Sequence, residues 1–207
     1  ILDRLEHHGG GAGFKDYTAG KLTSSPLTFK VYPFDPEILK ISLDELLLEH
    51  GMQVILHAQG LCFSTDDQNS FVTFFGPTGT HTVKAKQVID ATSDAIIAES
   101  AGATIEDSPV DQRQPMTCMM RVAGVDIDAY GTSSRDRRRE IVSRGLESGD
   151  FFYRTVAHSE SPANGDTFLL VTAVHGLDGR DPLEISVAER HGREQALTSL
   201  KYLIKNM

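Results

Sequence analysis

Cysteine is scarce in this chain: only Cys62 and Cys118 occur among 207 residues, far apart and in unlike contexts. Two isolated cysteines make neither a disulfide framework nor a zinc pattern. Each sits in an apolar run, so both are expected to be buried thiols, and a reducing, cytoplasmic compartment suits them. The 8 histidines show no metal-ligand spacing, and the adjacent His7 and His8 cannot both face one ion from a regular helix, so no metal is expected. Basic residues are outnumbered, 20 Lys+Arg against 29 Asp+Glu, for a formal charge of −9. A grip on nucleic acid needs a basic face, and an anionic membrane surface attracts one; neither partner is expected. No apolar run reaches the ~18 residues of a membrane span. Also missing are a Gly-rich loop ending in Lys-Ser or Lys-Thr, a nucleophile elbow, and the paired acids that sugar cleavage requires.

What is present is ordinary globular usage, 40% apolar and 24% charged. The length allows one to two domains and a core that needs no staple. The chain starts at Ile1 without Met, inside what reads as a short helix to His8, and a segment of a longer protein is expected. Gly9, Gly10, Gly11 and Gly13 then lead into a polar stretch ending at Ser25 and Pro26. No strand precedes those glycines and no helix opens after them, so a flexible connection is expected rather than a dinucleotide loop.

The spacing predicts a helix over 35–50, with Asp35 as cap, Pro36 at the first position, a stripe of Leu39, Leu43, Leu46 and Leu47, and Gly51 as the stop. MQVILH (52–57) reads as a strand covered on both faces, with His57 a hydrogen-bonded core histidine at its end. Strands at 61–66, 71–76 and 81–90, separated by Asp66–Asn69 and Pro77-Thr78-Gly79, read as an antiparallel meander. The last strand alternates wet and apolar residues, then turns fully apolar at Val88-Ile89, as if entering a buried sheet. It ends in Asp90-Ala91-Thr92-Ser93-Asp94 before a helix at 95–101. In a parallel sheet, ligands bind at such a strand-to-helix turn, where backbone N–H groups are free. An ordinary capped turn is the bland alternative.

Beyond a polar connection at 104–114, a strand at 115–125 carries Arg121 in apolar surroundings. A guanidinium there needs a carboxylate, a carbonyl or an anionic ligand. A helix over 134–148 has a thin apolar face of Ile141, Val142 and Leu146. Its arginines 135, 137, 138 and 139 read as a solvated face, with a phosphate or acidic partner as the alternative. A buried strand at 167–174 is followed by His175 beside the turn Gly176–Gly179, and a long helix starts at Asp181. Arg121 and His175 are the candidate catalytic residues.

Four ordered segments then carry a resemblance: FDPEILKISLDELLLEHGMQVILHA (34–58), VKAKQVIDATSDAIIAESAGA (83–103), QPMTCMMRVAGVD (114–126) and VHGLDGRDPLEISVAERHGREQA (174–196). Together they resemble the FAD-dependent oxidoreductases of the two-domain flavoprotein class related to fumarate reductase flavoproteins, many of them bacterial. The resemblance implies a mixed α/β fold: a partial FAD-binding domain with a β-meander over 1–103 and part of a substrate domain over 104–207. It implies FAD beside Ala91, Thr92, Ser93 and Asp94, with the stretch around Gly60 passing the adenine, and flavin-mediated redox of a small molecule. The family's glycine fingerprint is not found here. Ser93 and Ala95 stand where the family has Gly, and Ile96 where it has Asp. FAD is therefore expected in the intact parent, while this segment alone is expected to lack both FAD and activity. The alternative is a non-catalytic module that keeps the flavoprotein shape without the cofactor. Strands built for absent neighbours leave open edges, so a homodimer or swapped assembly through 52–57 or 83–90 is expected.

Overall fold

Two Asp-Pro steps start the two clearest helices. Asp35 accepts a hydrogen bond from the Glu37 amide at 2.8 Å and opens α2 (Pro36–Glu49). Asp181 accepts from the Leu183 and Glu184 amides and opens the 25-residue helix Pro182–Asn206. In both, Pro occupies a position whose N–H has no helical partner to lose. The computed structural model describes residues 1–19, 27–126, 133–160 and 166–207. It divides into two compact units, one of residues 1–50 with 110–207 and one of residues 51–109.

In the first unit, α1 (Leu2–His7) is joined to α2 by charge: Arg4 bridges Glu45 and Glu49, and the His8 ring bonds Glu45 at 3.0 Å. The Glu45 carboxyl is held below its usual range, chiefly by the His8 hydrogen bond. The expected flexible connection is replaced by an antiparallel pair, β1 (Lys15–Ala19) with β2 (Leu27–Val31). Ser25 and Pro26 lie outside the described residues. Two of the glycines before β1 serve close approach: a Cβ on Gly10 would sit 2.4 Å from the Ile38 side chain, and one on Gly11 would run into the Tyr32 ring. The α2 leucine stripe is half-buried.

The remainder of this unit is a three-stranded antiparallel sheet with two helices. Its order is β6 (Met119–Val122), β8 (Thr167–Leu170), β7 (Ala157–Glu160), with β8 central. Helix α4 (Arg135–Ser148), capped by Ser134, and α5 (Pro182–Asn206) supply apolar faces. Ile141, Val142, Phe151, Val156, Leu169, Val171 and Leu203 form one core cluster. Gly145 lets it close, since a Cβ there would lie 2.6 Å from Phe151 and 2.8 Å from the Tyr202 ring. Leu146 is exposed, so the α4 face is narrower than its sequence implies.

The expected strand 167–174 is regular only to Leu170 because α5 then takes over its hydrogen bonds. Gln195 accepts from the Ala173 amide at 2.8 Å and donates to the Ala173 carbonyl at 3.2 Å, and Ser199 donates to the Val171 carbonyl. Across from it, Thr172 Oγ1 accepts from the Cys118 amide and donates to the Cys118 carbonyl. Side chains thus satisfy buried backbone groups that a ladder would otherwise serve.

The second unit holds the expected meander: β3 (Gln59–Thr65), β4 (Ser70–Gly76) and β5 (Gly79–Ala85), each antiparallel to the next. Asp66 makes the first turn by accepting from the Gln68 and Asn69 amides. Gly79, at φ +113, makes the second possible. Two expectations fail here. Residues 52–57 form no ladder, and Leu56 is 68% exposed. The strand expected to reach Asp90 ends at Ala85, leaving Ile89 92% exposed. An apolar run favours burial but supplies no partner, and every ladder among the described residues is antiparallel. His57 is exposed at φ +56 rather than held in a core. Cys62 is exposed and Cys118 half-buried, both free, so neither is the fully buried thiol expected.

Candidate functional site

The turn after the meander is built by two side chains. Asp90 Oδ1 accepts from the Thr92 amide and Oδ2 from the Ala98 amide, both at 2.8 Å. Thr92 Oγ1 accepts from the Ile96 amide at 3.0 Å, at the start of α3 (Ile96–Ser100). These donors, Ala98 first, hold the Asp90 carboxyl below the usual carboxylate range. The expectation of free amides at this helix start is thereby corrected: those of Ile96 and Ala98 are taken by the chain's own side chains.

The turn keeps glycine's backbone without glycine. Ser93 lies at φ +65 and Ala95 at φ +54, a region that costs an ordinary residue roughly 1–2 kcal/mol. Ala91, Ser93 and Asp94 are exposed, and Thr92 is half-buried. Gly60 on β3 sits beside them: a Cβ there would lie 3.1 Å from Ile97 and 3.8 Å from Thr92. The tertiary structure thus gathers Gly60 and residues 91–94 at one place. A phosphate seated on the helix amides does not fit this arrangement. What stays open to a ligand is the rim of Ala91, Ser93 and Asp94, whose residues are exposed.

Arg121 and His175 belong to the other unit and are not brought together. Arg121 on β6 is opposite Phe168, whereas Val174, next to His175, bridges Met116. That register separates the two by roughly 20 Å along the strand. The Arg121 side chain is 62% exposed and pairs with Asp166, its Nε at 2.8 Å from Oδ2. Asp166 raises the Arg121 pKa. The expected buried guanidinium is corrected by strand alternation: Met120 and Val122 pack on the core, which turns Arg121 to the opposite face. His175 is exposed. Beyond it Asp178 Oδ1 accepts from the Arg180 amide at 2.9 Å and meets Arg113 Nη1 at 3.0 Å. Its carboxyl is lowered to about 2, first by that amide and then by Arg113.

A cavity of about 760 Å³ in the same unit was not evident from the sequence. Ile141, Leu169 and Leu203 form its inner wall, and Asp126, Arg137 and His158 bring charge and polarity. Its residues lie apart in sequence, Arg137 on α4 and Leu200, Leu203 and Ile204 on α5, and nothing local says that they face one space. Among the described residues there is no cluster of three or more metal-ligating side chains, and no helix is long and apolar enough to cross a membrane.

Comparison with known families matches residues 1–207 to the family described as FAD dependent oxidoreductase. No curated protein and no solved structure matches the chain.

Proposed function

We propose that this chain, which belongs to the FAD dependent oxidoreductase family, lines the cofactor through the turn of residues 91–95 and holds a small-molecule substrate in the portion from residue 104 onward. The observation that carries this reading is the turn itself, with glycine-like backbone at Ser93 and Ala95 beside the close-packed Gly60. Bound FAD would supply the redox chemistry. This chain's own residues have more modest tasks. Asp90 and Thr92 fix the turn so that the backbone of 91–95 meets the cofactor in one shape. On this reading 1–103 contributes the cofactor side and 104–207 the substrate side, with residues 1–50 packed in one compact unit with 110–207. A reducing, cytoplasmic setting suits the two free thiols.

The test is titration of the protein carrying these residues with FAD, followed by quenching of flavin fluorescence. We expect saturable quenching, weakened roughly tenfold or more by Ser93→Trp, which puts bulk on the rim. No quenching at roughly 100 μM FAD would overturn the reading. One observation favours a second reading, a non-catalytic module that keeps the shape without the cofactor: the amides of Ile96 and Ala98 are already occupied. Saturable FAD binding removes that alternative.

A further inference from the structure

The geometry points to the cavity between the β6–β8–β7 sheet, α4 and α5 as the binding site of a small apolar carboxylate. This deepens the flavoenzyme reading by naming its substrate class. The binding itself is read without FAD, so its failure and the failure of FAD binding at 91–95 are separate results.

The cavity volume, about 760 Å³, lies within the range that small-molecule sites occupy. Its inner wall is core: Ile141, Leu169 and Leu203 are each buried while still lining the space. Such a wall favours a hydrocarbon or aromatic body, because water there has few partners and apolar burial is favourable. The same lining includes Arg137, in the first turn of α4. Its amide is bound by Ser134 Oγ at 3.2 Å, which fixes where that turn starts and hence where the guanidinium emerges.

Asp126 and His158 also line the space, and both already have partners within the chain. Arg137 is therefore the group assigned to the ligand. A guanidinium on an apolar wall selects a planar anion that it can grip with two N–H groups, and a carboxylate has that shape. A neutral hydrocarbon would forgo that pairing. An inorganic anion would leave the wall unfilled.

The experiment uses 2-naphthoate and its neutral analogue 2-naphthamide, titrated into the protein without flavin and followed by calorimetry and methyl NMR. We expect naphthoate to bind roughly tenfold tighter than the amide, the gain from one charge-assisted pair. The methyl signals of Ile141, Leu169 and Leu203 should move. Arg137→Met, at an exposed position, should bring naphthoate down to the affinity of the amide. Ala123→Trp, at the lining, should abolish binding of both. Naphthoate binding unchanged in Arg137→Met overturns the assignment of Arg137 as its partner. Unmoved methyl signals in the wild-type protein overturn the site itself, whatever the variants do.

Discussion

The Asp90 carboxylate accepts the Ala98 amide at 2.8 Å, eight residues on, and closes the turn of 90–95 onto the first turn of α3. Its other oxygen holds the Thr92 amide, so this carboxylate ties the start of the loop to the helix, and Thr92 Oγ1 adds the bond to Ile96. Asp90→Ala removes both acceptors. We expect Tm to fall by roughly 5 °C, as for loss of a strong helix cap, and hydrogen exchange at the Ala98 amide to accelerate. An unchanged exchange rate would show that the turn stands without Asp90.

Gly60 on β3 packs against Ile97 of α3. A Cβ there would meet Ile97 at 3.1 Å, and a branched side chain must push α3 away. Gly60→Val should cost about 1–3 kcal/mol, the usual penalty of overpacking. Urea denaturation of the two proteins measures it.

Thr167 is fully buried, and its Oγ1 has no hydrogen-bond partner among the described residues. The hydroxyl's desolvation is therefore uncompensated. Thr167→Val keeps the branched shape that suits β8 and should stabilise the protein by about 1 kcal/mol. A destabilised variant would mean that the hydroxyl does have a partner in solution.

Asp178 makes stability depend on acid. Its folded-state pKa is depressed from 3.8 to about 2 by the Arg180 amide and Arg113. A depressed carboxyl contributes stability that is present above its unfolded value and is lost as pH falls through the folded one. The advantage of wild type over Asp178→Asn should be constant above about pH 4 and shrink toward pH 2. Thermal melts of both proteins across that interval decide it.

The exposed Met52, Val54, Ile55 and Leu56 and the exposed Ile89 motivate self-association. An extended apolar segment without a ladder is a ready template for a second chain. We expect light scattering to report a dimer, and Ile55→Glu to shift it toward monomer. A monomeric wild-type protein at all concentrations would exclude this assembly.

Elements settled by neighbours in the chain were legible before any coordinates. Asp35-Pro36 and Asp181-Pro182 start helices because the aspartate oxygen reaches amides two or three residues on. Asp66 closes a meander turn in the same way, and alternation within β5 marks its wet face. The tight turn at 90–94 was legible as a place, though the occupants of its amides were not, because Ala98 lies beyond local reach. Only the tertiary structure decided that Arg121 faces outward to Asp166, that 52–57 lacks a strand beside it, that Gln195 and Ser199 replace a ladder after Leu170, and that Arg137 shares a cavity with Leu203. Each depends on a partner distant in sequence. Apolar pattern records how strongly a segment resists water, and packing alone determines what covers it.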